Sequence, residues 1–426
     1  MTDTTAQHTG EPTGPLLAAD GTPLKQRLAQ AMFRTKLRAF LLTAPLLAFI
    51  TTFFFLPIVI LLFQGVYNDR FAEGMPKTTP LLAEWDGAAL PDEALFAAVV
   101  DDLIWAKDVD RSLPTRVGAR VNREISGATS LFKKTVRKAP KMEAPFKDAM
   151  IKADKKWGDI AYWRAMKRSS STYTMSFVLK SLDLKIGDDG GLEWQDENLR
   201  IHLKLFVRTL EISTLVTLFT LILGYPVAYL LAQLPVRTSN LLLILVLLPF
   251  WTSILVRTTA WIAILQGQGA LNDIFVWIGI ADDEARFSMI YNKLGTLIAM
   301  THILLPFMIL PLYSVMKAIP PSYVRAAKSL GATNWTAFWR VYFPQTVPGI
   351  GAGAILVFIL AIGYYITPAL VGGQDGVMIS NIIDSHMRSS LNYSLAAALG
   401  LVLLVFVLFL YWLYDRIVGI DNMKLG

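Results

Sequence analysis

RAAKSLGATNWTAFWRVYFPQ, residues 325–345, carries three cations, no acid, one glycine and a proline near its close, and it stands between two strongly apolar segments. Just upstream and within it, Tyr323, Ala326, Ala327 and Leu330 recur at three- and four-residue steps, which places them on one face of a short helix. Gly331 then breaks that helix, as a residue free to take positive φ does at a helix C-terminus. Thr333 or Asn334 can cap a second helix, along which Trp335, Phe338, Trp339 and Tyr342 form an aromatic stripe. Pro344 is expected to stop the second helix, and Pro348-Gly349 to start the next apolar segment. The product is a helix–turn–helix hairpin with small residues on one arm and large aromatics on the other. It reads either as a docking surface, where rigid aromatics supply contact area, or as an interfacial connector with its aromatics at the lipid headgroups.

Composition decides what surrounds this hairpin. Of 426 residues, 54% are hydrophobic and only 17% charged, outside the balance of a soluble globular domain. The chain reads as an all-α polytopic membrane protein. Six runs approach the roughly 20 apolar residues needed to cross a bilayer, approximately 39–63, 209–234, 240–265, 294–316, 350–371 and 395–417. With no cysteine, disulfides and thiolate chemistry are excluded. The four histidines, His8, His202, His302 and His386, include no close ligand pair, so no metal site is expected.

Lys25, Arg27, Arg34, Lys36 and Arg38 precede the first run and place the N-terminus in the cytoplasm; six crossings return the C-terminus to the same side. The length of that first run, with no small-residue cleavage site after it, favours an uncleaved anchor. Arg237, Lys317, Arg325, Lys328 and Arg340 fall in the loops this topology makes cytoplasmic, whereas Asp273, Asp282, Asp283, Glu284 and Asp375 fall on the other side. The opening hairpin therefore faces the cytoplasm.

The expected organisation is a cytoplasmic tail over 1–38, a first span at 39–63, an extracytoplasmic insert over 64–205, a five-span core over 206–418 containing the hairpin loop 317–349, and a short cytoplasmic tail at 419–426. The insert holds more than half of the Lys and Arg, but loops longer than about 60 residues translocate largely regardless of charge. EALFAAVVDDLIWAK, TRVGARVNREISGATSLFKKTVRK and PFKDAMIKADKKWGDIAYWRAMKR each show helical spacing, so a mainly helical insert is expected. YTMSFVLKSLDLKI, before GDDGG, reads as a short strand pair. Trp85, Trp105, Trp157 and Trp163 serve either as the insert's core or as a docking face. The residues before Pro23, rich in Thr, Gly and Pro, read as disordered.

RAAKSLGA followed by Phe338, Val341, Pro344 and PGI resembles the EAA loop of bacterial ABC importer permeases. LLPFWTSILVRTTAW, LPFMILPLYSVMKAIPPSY and ITPALVGG resemble the spermidine/putrescine branch of that family, so the likeness covers all six spans and omits the insert. The resemblance implies a type I importer permease in which the hairpin docks on a cytosolic ATPase dimer. By motif position, Ala326 and Ala327 then meet the ATPase, Gly331 makes the turn, and Phe338, Val341 and Pro344 anchor the second arm. It also implies a second homologous permease, a periplasmic solute-binding protein and a polyamine or related amine-bearing substrate, in a bacterial inner membrane and with no nucleic-acid partner. ATP and Mg would sit on the partner subunit, with no cofactor on this chain. The departure is Arg325, which occupies the place of the motif's glutamate and reverses the sign of that contact.

No GxxxxGK[ST] phosphate loop occurs, so energy is expected from a partner and the chain itself is not read as an enzyme. Charged residues inside spans are costly and commonly face a bundle interior or a water-filled cavity. Arg257, with Trp251 and Thr252 in the same run, is a candidate for the translocation path or gate; its alternative is snorkelling to the interface. Glu211 is a second candidate, with pairing to Arg208 as its structural alternative. Asp384 is a third, against a solvated loop acid. Pro249, Pro306 and Pro311 point to the third and fourth spans as pore lining. The competing class, an autonomous secondary transporter or channel, predicts coupling-ion residues and paired repeats within the spans, and neither stands out.

Overall fold

The computed structural model describes residues 24–187 and 191–418. The expectations for the residues before Pro23 and for 419–426 lie outside the described residues. Five helices are long and apolar enough to cross a membrane, and a sixth is obtained by counting one bent pair as a single span.

The chain divides into two compact units, the first ending at Leu61. There the helix Leu24–Ile50 passes through one π turn, Thr51–Phe55, into the helix Leu56–Phe63, which ends just past the boundary. The wider turn makes room for the Pro57 ring, which lacks an N–H and would crowd a preceding carbonyl in a regular helix. Its apolar side chains are exposed nearly all round, the pattern of a membrane helix.

The second unit begins at Leu62 and contains both the insert and the remaining spans. Three helices make the centre of the bundle: His202–Gln233, Lys293–Ala318 and the continuous run Asn334–Gly363. Lys293–Ala318 is the most enclosed, with Met300, Leu304, Met308 and Leu312 packed among Ile212, Val216, Val357 and Ala361. Helices in lipid gain little from hydrophobic burial against each other and rely on close approach of small residues. Gly353 shows this: a Cβ built there would lie 2.7 Å from Met308 Sδ and 3.3 Å from the Met308 carbonyl. Gly353→Val is expected to destabilise the bundle by about 1–3 kcal/mol through overpacking, read as a lower melting temperature in detergent; an unchanged melt would mean the two helices are free to separate at this crossing.

Two spans differ from their sequence reading. The third, expected as one helix over 240–265, is Val236–Trp251 followed by Ile254–Trp277, with a 96° bend between them. Pro249 removes a backbone donor, Leu248–Trp251 tightens into a 3-10 turn, and Ser253 Oγ accepts from Leu255 N at 3.3 Å to start the second arm. The fifth, expected at 350–371, begins before the predicted boundary and ends at Gly363; Ile366–Val371 is a separate short helix. Pro344 does not stop the hairpin's second arm. A π turn at Phe338–Tyr342 widens the helix just before Pro344, so its ring fits without a break.

The insert is mainly helical, as expected. Glu93–Val109 is one helix, whereas the other two predicted stretches each divide: Leu113–Val121 with Ala128–Lys138, and Phe146–Ala153 with Ile160–Ser170. SFVLKS forms the helix Ser176–Ser181, and the strand pair lies just beyond it, Leu184–Ile186 antiparallel to Leu192–Trp194. Trp157 and Trp163 are fully buried and packed at a tilt with ring centroids 5.3 Å apart, so they are core; Trp105 is exposed. Asp102 closes one end of this core by accepting from Thr78 N and Thr78 Oγ1, both at 2.7 Å. The insert is fastened to the spans at its base, where Phe177 packs with Leu205, Ile379 and Leu395 and Asn68 Nδ2 donates to Ser394 Oγ at 2.8 Å.

Candidate functional site

The hairpin has the predicted geometry in its first arm. Pro321–Ser329 is helical and starts with proline in its first turn, where the missing N–H costs nothing. Its end is a Schellman turn: Ala332 N donates to Ala327 O and Gly331 N to Lys328 O, both at 3.0 Å, with Gly331 at φ 89°. A side chain at Gly331 would meet nothing within 4 Å, so a bulky substitution there acts through left-handed strain of about 1–2 kcal/mol. Thr333 is the cap of the second arm, accepting from Thr336 N at 3.2 Å.

The face that periodicity predicts is outward. Tyr323, Ala326 and Leu330 are exposed, Leu330 to 89%, while Ala327 is half-buried. Arg325 is exposed and makes no ion pair among the described residues. The aromatic stripe, however, divides in two. Trp335 and Trp339 stay exposed with ring centroids 5.6 Å apart, whereas Phe338 and Tyr342 turn inward onto Tyr229 of the His202–Gln233 helix, at 5.8 and 5.3 Å. Val341 is half-buried beside them and Pro344 is exposed. Lys317 Nζ donates to the carbonyls of Ala232 and Leu234 at 3.2 and 3.3 Å, capping the C-terminal end of that same helix. The hairpin is thus an exposed arm on a second arm that is continuous with a central span. A push on the first has a rigid route into the bundle.

The path candidates fall into different places. Arg257 is half-buried in the first turn of the second arm of the broken span, and its Nε is enclosed without a hydrogen-bond partner. Nearby, Trp261 Nε1 donates to His302 Nδ1 at 3.2 Å, and the hydroxyls of Thr258 and Thr367 meet at 3.2 Å. Asp384 is not a solvated loop acid: it lies in the helix Ile379–Arg388 and binds Arg388 Nε at 2.6 Å, while Arg388 Nη2 donates to Tyr365 Oη at 3.1 Å. The segment 364–367 is thus touched by Thr258, next to Arg257, and by Arg388, the partner of Asp384.

Glu211 does not join them and does not pair with Arg208. It binds Lys293, leaving Arg208 to donate to the Gln374 carbonyl at 2.7 Å and to approach Asp375 at 3.9 Å. In a helix of 3.6 residues per turn the i+3 neighbour is near, but a lysine arriving at the start of another span reaches the carboxylate more directly. Trp251 and Thr252 sit exposed at the bend, Trp251 to 84%, with Thr252 Oγ1 donating back to Pro249 O at 2.8 Å. His302, Tyr364 and Trp261 were not predicted. His302 was legible as an ionisable residue inside a span; the other two were indistinguishable from ordinary apolar span residues.

A broken third span, a central three-helix bundle and an exposed hairpin running into a span define a multi-pass α-helical membrane protein. Residues 220–418 match the family of binding-protein-dependent transport system inner membrane components, and the chain belongs to that family, the translocation subunits of ABC importers. It is 33% identical over 222 residues to the spermidine/putrescine transport system permease protein PotB of Salmonella typhimurium, spanning 51% of this chain and 77% of that protein. It is 32% identical over 213 residues to the inner membrane ABC transporter permease protein YdcU of Escherichia coli K12, spanning 48% and 68%. Among solved structures, a bacterial ABC transporter involved in the import of the acidic polysaccharide alginate matches with TM-score 0.43 and 22% identity, over 52% of this chain and 81% of that one. The insert lies outside the family match.

Proposed function

We propose that this permease carries a small amine-bearing solute, a polyamine or a close relative, delivered by a periplasmic binding protein and driven by a cytosolic ATPase dimer. The proposal places both termini in the cytoplasm, pairs this chain with a second homologous permease around a shared path, and leaves ATP and Mg on the partner ATPase. The single observation that carries it is the hairpin: an exposed helix, Pro321–Ser329, joined through a defined turn to an arm continuous with the span ending at Gly363. Closure of the ATPases would move that arm as a rigid body and switch access to the path between two states. Arg257, His302, Tyr364 and the Asp384–Arg388 pair are the proposed lining, supported by the contacts of Thr258 and Arg388 with 364–367. The substrate class is supported by the relatives' names and by the aromatic faces of Trp261, Tyr364 and Tyr365, which suit ammonium groups.

The test is uptake of labelled spermidine into proteoliposomes holding this chain with its partner permease and ATPase, with binding protein and ATP on their respective sides. Uptake is expected to require all of them. Flux through this chain alone would overturn the reading in favour of a secondary transporter or channel. ATP-driven uptake of other solutes but no polyamine would overturn the substrate assignment alone.

A further inference from the structure

At the base of the insert, a cavity of about 360 Å³ opens between the turn Asn122–Ser126, the helix Ser176–Ser181 and the strand Leu184–Ile186. Arg123, Arg168, Phe177 and Lys180 line it. Two acids, Glu124 and Asp196, share its wall, and each is already engaged: Glu124 with Arg120 Nη1 at 2.9 Å and Asp196 with Lys185 Nζ at 2.9 Å. Arg123 and Arg168 make no ion pair among the described residues, and Lys180 Nζ is held only by the carbonyl of Arg123, at 3.1 Å. Arg120 lies behind the wall with its side chain fully buried. Phe177 stands against both guanidiniums, 4.9 Å from Arg120 and 5.9 Å from Arg123.

Three buried guanidinium nitrogens here have no hydrogen-bond partner: Arg120 Nε, Arg120 Nη2 and Arg123 Nη1. Buried charges in proteins are normally paired, and an orphaned charged donor is costly. Arg123 has Arg70 and Arg120 as electrostatic neighbours and no acid of its own; burial first, then those two guanidiniums, push its pKa down to about 10. Burial likewise lowers that of Lys180, against the opposing pull of Glu124. Cations gathered in a cavity whose acids, among the described residues, are already engaged form a site short of counter-charge.

We propose that this cavity binds an oxyanion, a carboxylate or phosphate group, gripped by Arg123 and Lys180 with Arg168 at the rim. The oxyanion belongs either to a small solute or to a phospholipid headgroup, since the chemistry that recognises both is the same. The site is separate from the residues proposed for transport and does not depend on the identity of the carried solute. Its occupancy would neutralise the cluster and brace the insert where Phe177 joins it to the spans.

The test uses the full-length protein. In neutral detergent, phosphate and succinate are titrated against chloride at constant ionic strength while the melting temperature is followed; in parallel, nanodiscs of phosphatidylcholine are compared with nanodiscs containing phosphatidylglycerol. Saturable stabilisation is expected in at least one arm, and the arm identifies the source. Arg123→Gln and Lys180→Gln should each weaken it at least about tenfold. In chloride alone, Arg123→Gln should melt no lower than the parent, because it relieves unpaired like charge; a lower melt would assign Arg123 a purely structural role and overturn the proposal. Absence of stabilisation in both arms, or variants that respond like the parent, would also overturn it.

Discussion

Ala326→Asp is expected to abolish ATP-driven uptake, to below about one hundredth of the parent rate, while leaving insertion and thermal stability nearly unchanged. Ala326 lies on the exposed face of Pro321–Ser329, so the isolated permease gains only a surface aspartate, worth about 0.5 kcal/mol or less in stability. In the proposed docked state the same carboxylate is buried against the ATPase without a partner, a penalty of about 3 kcal/mol, which corresponds to roughly two orders of magnitude in affinity. The readouts are uptake in proteoliposomes, co-purification with the ATPase and the melting temperature of the permease alone. Normal uptake would remove the hairpin from the coupling pathway. A large drop in melting temperature would instead mean that the first arm packs on the bundle. Arg325 next door sharpens the experiment: if the partner presents an acid to it, Arg325→Glu should impair uptake as well.

Asp183→Ala is expected to destabilise the protein by about 3 kcal/mol or more. Ile201, at the N-cap of His202–Gln233, has no side chain able to accept a hydrogen bond, so the first amides of this long span are satisfied from a distance. The Asp183 carboxylate accepts from His202 N at 3.2 Å and Leu203 N at 2.8 Å, and it lies 2.7 Å from His202 Nδ1. Both side chains are nearly inaccessible to water, so truncation leaves several buried polar groups unmet at once. Asp183→Asn keeps one acceptor oxygen and should lose less than half as much. Hydrogen exchange at the amides of His202 and Leu203 separates this local effect from general unfolding. Exchange and melting unchanged in Asp183→Ala would mean that water replaces the carboxylate there and that the insert does not hold this helix end.

The legibility of this fold follows the range of the forces involved. Five long apolar helices, a helical insert and the turn at Gly331 were readable because length, apolarity and a glycine with positive φ are local properties. The break in the third span was not: the 12-residue helices on either side of Leu248–Trp251, Val236–Leu247 and Ile254–Leu265, have the same composition whether the chain goes straight or bends by 96°. Pro344 was misread for the opposite reason, because a rule about regular helices does not anticipate a π turn. The site divided in the same manner. Ala326, Gly331 and Phe338 were placed by their spacing, whereas the Lys293 partner of Glu211, the hydrogen bond of Trp261 to His302 and the cationic cavity join residues far apart in the chain.

From its sequence alone this protein is determined as a multi-pass α-helical membrane chain with a punctuated amphipathic hairpin, since bilayer thickness and helix chemistry act on consecutive residues. Which aromatic turns inward, which acid finds which base, and where a cation is left without one were decided only by tertiary structure. Those choices depend on which helix faces come together, and packing across a bundle is set by all the spans at once.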